Sequence, residues 1–373
     1  MALQSMDQII SAITAGQFNR TDWNKNALPV SAQTAGQWYD LSTGAGNPFQ
    51  NSTHGSTANL AFQALSDTTS ITATTGALGG SIAATVFTDT THGTNRFTVG
   101  MLLTGTGVAA GTYITSLGTG TGANAGGTYN VNISQTVTSQ TITGTATPNG
   151  LYTGGNVSPS IKNVLNVSAY SGASTSAPAV MMLVDQVAMY TVSTVTTTGA
   201  QSFTGTQTLP RYATGAGLQA FIVPSVVTGA GTPTIQLGYT NAAGVSGRLT
   251  PASPSLPVAN TASPVGSIIY SGTGAGKYGP FMPLQSGDTG IRSIDSINLS
   301  ATMTSGSLVV LLCKPIFTLP LTTLGVASER DLVNQLPSMP RIYDGANLQW
   351  LMMAGAATPT NTAYYGSIDC AWG

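Results

Sequence analysis

Short runs of threonine, valine and isoleucine, each closed by glycine, recur along this sequence and leave little choice of fold. Between residues 69 and 149 they lie at 81–87, 101–103, 112–116, 128–133 and 137–142, separated by turns such as Gly105-Thr106-Gly107 and 118–122. β-Branched side chains are stiff and suit a pleated surface, while glycine supplies the positive φ of tight turns. The pattern predicts antiparallel strands. Longer runs at 180–192, 219–227, 234–239, 267–270, 291–302, 307–313 and 348–353 predict a second, larger set. The expected fold is mainly β: a β-sandwich or jelly-roll-like body with a few short helices and an inserted small β module. Residues 1–68 read as an N-terminal arm and the first part of the body, 69–149 as the inserted module, and 150–373 as the β-sandwich-like body and C-terminal tail. Leu65-Ser66-Asp67 and Leu151-Tyr152 read as one connection that the module interrupts.

Four stretches read as helix. Over 3–15, Leu3, Met6, Ile10 and Ile13 recur at helical spacing and Gly16 follows as a stop. This helix packs on its own domain or serves as an arm on a neighbouring subunit. The others are 57–66, with Leu60, Ala61 and Leu65 inward; a segment capped by Ser158, with Pro159 first and Ile161, Val164 and Leu165 following; and 328–336, capped by Ser328 with Leu332, Val333 and Leu336 apolar. Residues 17–68 otherwise read as turn-rich, anchored by Trp23, Trp38, Tyr39 and Phe49. Imperfect alternation around Asp295 predicts a bulge. Tyr364, Tyr365 and Trp372 predict a tail that is tied down.

Charge narrows the function. Charged residues make up 6% of the 373, against roughly 25% in typical soluble proteins. Formal net charge is −1, and Glu329 is the only glutamate. A surface of Thr, Ser, Gly and Asn suits permanent contact with neighbours, because ordering these side chains costs less rotamer entropy than ordering Lys or Glu. No cluster of Lys and Arg could neutralise phosphates, which argues against nucleic acid as a partner. No apolar run approaches the ~20 residues of a membrane span. The first ten residues show no secretory signal. Cys313, in Leu311-Leu312-Cys313, reads as a buried free thiol, and a disulfide with Cys370 stays open. Arg211, Arg248, Arg292, Arg330 and Arg341 stand isolated in neutral surroundings, where each suits a fixed hydrogen-bonded pair within the fold or across an interface.

A search for chemistry returns little. Ser271-Gly272-Thr273-Gly274-Ala275-Gly276-Lys277-Tyr278 is the nearest match to a phosphate loop. It lacks the glycine needed at Ser271 and the hydroxyl needed at Tyr278. Gly105, Gly107 and Gly111 read as hairpin turns. His54 and His92 fall in different modules; Asp89 precedes His92 by three residues, but two groups do not close a metal site. Asp288 and Asp295 are close in sequence, but Asp288 reads as a turn aspartate in Gly287-Asp288-Thr289-Gly290. No catalytic, cofactor-binding or metal-binding residue is assigned, and the chain reads as a non-enzyme without a cofactor.

Two stretches carry a resemblance. Residues 100–108, running on through Gly111-Thr112-Tyr113-Ile114, Gly127-Thr128-Tyr129 and Thr141-Ile142-Thr143-Gly144, are similar to Gly/Thr-rich β modules of phage virion proteins. The opening from Ile9 to Trp23, with the neutral β-rich body, resembles capsid-associated proteins of tailed bacteriophages. The resemblance covers about half the chain. It implies a virion component assembled in the host cytoplasm: a decoration or cement protein that contacts other virion proteins, above all the major capsid protein, and forms homo-oligomers. The scarcity of charge departs from what a shell-forming major capsid protein would show. A tail fibre, spike or adhesin that binds host glycans is the second reading.

Overall fold

In the computed structural model, the described residues are 3–26, 35–41, 71–73, 80–89, 97, 102–109, 112, 114–119, 127–145, 151, 153, 157–172, 179–192, 194–203, 209, 211–251, 263–264, 266–269, 279–336, 338–355 and 362–373. The chain is mainly β. One helix, α1 (Met6–Thr14), precedes β1 (Phe18–Asn26) and β2 (Trp38–Asp40). Then come β3 (Ile71–Ala73), β4 (Gly80–Asp89), β5 (Leu102–Thr104), β6 (Ile114–Leu117), β7 (Gly127–Gln140) and β8 (Ile142–Thr145). Next are β9 (Lys162–Ser171), β10 (Ala179–Thr191), β11 (Gly199–Ser202), β12 (Gln219–Val226), β13 (Ile235–Asn241), β14 (Arg248–Leu249), β15 (Ile291–Leu299) and β16 (Ser307–Leu321). The last are β17 (Ser328–Asp331), β18 (Arg341–Ile342), β19 (Leu348–Ala354) and β20 (Ala363–Trp372). The chain divides into two compact units, with the described residues 71–145 in one and the remainder in the other.

The larger unit is a sandwich built on a central antiparallel sheet in the order β12-β16-β10-β19-β2. β10 and β16 are long enough to serve two cores. Met181, Leu183, Phe317, Leu319 and Leu321 meet Trp23, Val164, Val167, Tyr364 and Ile368 of the sheet β1-β20-β9-β17. Ala188, Tyr190, Leu308, Val310 and Leu312 meet Ile235, Leu237, Ile294, Ile297 and Leu299 of the sheet β11-β15-β13-β14. Bulges at Leu183/Val184 and Gln186/Ala188 keep both sets on one face. The other face buries Val184, Phe221, Val309, Leu311, Cys313 and Leu351 against Ile268.

Among its described residues, the smaller unit holds two three-stranded sheets, β3-β8-β5 and β4-β7-β6. Its core is built on Phe87, Phe97 and Tyr129, with ring centroids 4.8–5.7 Å apart. The runs 128–133 and 137–142 are largely one strand, β7; a break in its pairing between Ala84 and Val86 separates them, and Ala84 takes φ 53°.

Several elements depart from the sequence reading. The segment from Ser158 is not helical: Ile161 directly precedes β9, and Val164 and Leu165 belong to it. Their helix-like spacing arises because β9 is covered on both faces there, Val164 by the core and Leu165 by α1. Residues 328–336 are β17 and a 3-10 turn at Val333–Gln335, with Leu332 pointing to the core and Val333 and Leu336 to α1. Of 267–270, Ser267 makes only an isolated bridge with Tyr39, and Tyr270 lies outside the described residues. The turn-rich reading of 17–68 missed β1 and β2, and the aromatic tail is strand β20. The predicted helix 57–66 and Phe49 lie outside the described residues.

α1 does form, with Ser5 Oγ accepting from the Gln8 N–H as cap and Gly16 at φ 75° as stop. Its inward face is not the one the spacing predicts. Leu3, Ile9 and Ala12 are buried against Leu165, Met339 and Ala371. Met6, Ile10 and Ile13 face out, at 44–55% exposure.

Candidate interaction surface

The arginines that stood alone in the sequence are mostly fixed inside the fold. Arg211 grips Asp185 with both arms of its guanidinium, Nε to Oδ2 at 2.7 Å and Nη2 to Oδ1 at 2.5 Å. Nη2 also donates to the Gln186 carbonyl. Asp185 accepts further bonds from the Tyr212 hydroxyl and the Asn347 backbone N–H. Asp185 is fully buried, and its place between the two bulges of β10 sets this pair between the two cores. Burial and the neighbouring Asp185 raise the Tyr212 hydroxyl above its ordinary range.

A second pair sits at the far sheet. Arg248 donates to both oxygens of Asp288, which also accepts from the Tyr239 hydroxyl at 2.7 Å and the Asn241 amide at 2.7 Å. The bonds from Arg248, then those from Tyr239 and Asn241, hold the Asp288 carboxyl down at about 2. Asp288 is thus the hub of a closed structural network, beyond the turn role read from sequence. Asp295 takes different partners, the hydroxyls of Thr240 and Ser293, so the two carboxylates do not work as a pair. Asp295 also stands at the register shift between β13 and β15, where the sequence predicts a bulge.

A carboxyl whose folded value lies below the ordinary ~3.9 contributes stability that is present above that value and lost as pH falls. Unfolding curves taken in steps from pH 5 to pH 2 should therefore show stability falling from about pH 4 to about pH 2. An Arg248→Met variant should lose part of that dependence.

Arg330 donates to the Thr318 carbonyl and stacks over Phe317; Arg341 lies 4.1 Å over the Tyr343 ring. Cys313 and Cys370 are both free and buried, in different cores. Burial pushes the Cys370 thiol up to about 12 and raises that of Cys313 as well, so neither offers a thiolate at neutral pH. His54, His92, Gly111 and residues 271–278 lie outside the described residues. Gly105–Gly107 is a tight turn after β5, with the Val108 N–H on the Gly105 carbonyl and Gly107 at φ 78°. Among the described residues no three His, Cys, Asp or Glu side chains gather as metal ligands.

Polar groups gather on the outer side of the sheet β1-β20-β9-β17. Register sets Arg20, Asp369, Asn166 and Asp331 in one row across four strands, and Asp22, Ser367, Ser168 and Glu329 in the next. Arg20 lies 3.7 Å from Asp369, Asn166 donates to Glu329 at 2.6 Å, and the Ser168 and Ser367 hydroxyls bond at 2.8 Å. Burial raises the Asp369 carboxyl above its ordinary range; Arg20 opposes this, while Asp22 and Glu329 add to it. Beyond these rows Tyr170 and Tyr365 stack at 5.3 Å, both more than a third exposed. At the other end α1 covers the sheet and exposes its apolar stripe. This side offers rings, paired polar groups and exposed aliphatic side chains, a mixture suited to protein contact. Sequence reading missed it because β1, β17 and β20 were not recognised as strands.

A scan against family models finds no match, and a search of curated proteins finds none. Among solved structures, the chain aligns with that of infectious bursal disease virus Gx strain at 10% identity, over 81% of this chain and 78% of that one, with a TM-score of 0.15. It aligns with the VP2 subviral particle of infectious bursal disease virus at 9% identity, over 95% and 80%, with a TM-score of 0.13. Likeness at this level carries no argument about fold or function.

Proposed function

We propose that this chain is a structural, non-catalytic subunit of a virion, acting as a capsid decoration or cement protein. The observation that carries the reading is where the scarce charge goes. Arg211 with Asp185 is spent inside the sandwich, and Arg248 with Asp288 is spent in a pair at the sandwich's edge strand. Outside, α1 leaves Met6, Ile10 and Ile13 uncovered. A neutral surface with exposed aliphatic stripes is poorly suited to a free monomer and well suited to a body held among other subunits. The resemblance of residues 100–144 and 9–23 to tailed-phage virion proteins supports the same reading.

Quantitative mass spectrometry of purified particles tests it. A decoration or cement protein is present in hundreds of copies, in fixed ratio to the coat protein. A few copies per particle would overturn the cement role in favour of a tail fibre or adhesin. Turnover of polysaccharide or nucleotide that vanishes on replacing one Asp or His would overturn the non-catalytic reading.

A further inference from the structure

We infer that β1 is a dimerisation edge, on which a second copy of this chain pairs its own β1 antiparallel about a two-fold axis at Thr21. The inference stands on the strand itself and would hold for an assembly of any kind.

β1 is the end strand of its sheet, and among the described residues it pairs with β20 alone. It runs nine residues without a register shift, and Phe18–Asn26 contains neither glycine nor proline. Folded proteins usually blunt such an edge with proline, a bulge or a very short strand, because its free N–H and C=O groups template another strand. None of those three devices is present here; of the charges that also blunt an edge, β1 carries Arg20, Asp22 and Lys25. The exposed Phe18 lies on the same strand.

The charges select the partner and the register. Thr21 and Trp23 turn inward and are buried; Arg20 and Asp22 turn outward, side by side at 3.4 Å, with side chains 57% and 63% exposed. A two-fold axis perpendicular to the sheet keeps each face on its own side, so it must pass through a residue opposite itself. With the axis at Arg20 or at Asp22, like charges lie directly opposite, which is destabilising. With the axis at Thr21, Arg20 faces Asp22 of the second copy, and the symmetry makes the same contact twice. Phe18–Asn24 of each copy then pair, and the two four-stranded paths join into one continuous sheet. A strand of this length covers less than the roughly 1,200–2,000 Å² of a standard interface. The dimer should therefore be reversible, with a dissociation constant on the order of micromolar to tens of micromolar.

Sedimentation velocity of the full chain over a concentration series at low salt reads this out, with circular dichroism confirming that each variant is folded. Wild type should shift from monomer to dimer. Asp22→Arg places like charges opposite at both contacts and should weaken dimerisation about tenfold or more. The swap Arg20→Asp with Asp22→Arg restores opposite charges and should return the affinity to within about threefold of wild type. A wild type that stays monomeric throughout overturns the inference. So does a dimer indifferent to Asp22→Arg, or one the swap fails to restore.

Discussion

Replacing Arg211 with methionine should destabilise the larger unit by about 3–5 kcal/mol, read as a lower midpoint in urea unfolding. The loss follows from what is left behind. Asp185 is fully buried, and among the described residues the Tyr212 hydroxyl and the Asn347 N–H are what still answer its charge without the guanidinium. Removing one partner of a buried pair costs far more than removing both. The double variant Asp185→Leu with Arg211→Met should therefore recover part of the loss. It should stay short of wild type by about 1–3 kcal/mol, because the Asn347 N–H and the Tyr212 hydroxyl then lose their acceptor. A single variant as stable as wild type would mean that the pair does not fix the join between the two cores.

Trp350→Ala should cost about 3–5 kcal/mol, the range for deleting a large buried aromatic side chain. Trp350 is 3% exposed, on the central sheet. Its ring lies 5.1 Å from Trp23 of β1 and 6.1 Å from Phe317. It thus joins the central sheet to the sheet that carries the proposed interaction surface. Trp350→Phe should cost much less, because the buried indole N–H has no hydrogen-bond partner among the described residues and no such bond is lost with it. Thermal or urea unfolding separates the two variants. Equal costs would show that the N–H, and not ring packing, carries the residue's contribution.

The sequence made the central strands legible because burial there demands β-branched and aliphatic runs. β10, β12, β13, β16 and β19 read as strands in advance, as did the bulge at Asp295. The outer sheet was hidden for a physical reason. In β1 the inward positions Asn19 and Thr21 are polar, so no apolar alternation marks the strand, and Trp23 alone signals the buried face. β9 carries apolar residues on both faces where α1 lies over it, and that doubling imitates a helical stripe. α1 has two apolar stripes, and the more regular one, Met6-Ile10-Ile13, is the exposed one. Spacing reports which residues share a face; it does not report whether that face is covered. Of the isolated arginines, Arg211 and Arg248 form fixed carboxylate pairs, but Asp185 lies 26 residues from Arg211 and Asp288 lies 40 from Arg248. Such partners are brought together only by the sheets.

A map of the particle with this protein labelled, by electron cryo-microscopy at modest resolution, tests the virion reading most directly. Label density should repeat over the shell with the symmetry of the coat, seated between coat subunits. Label confined to the tail, or particles that carry none, would contradict it.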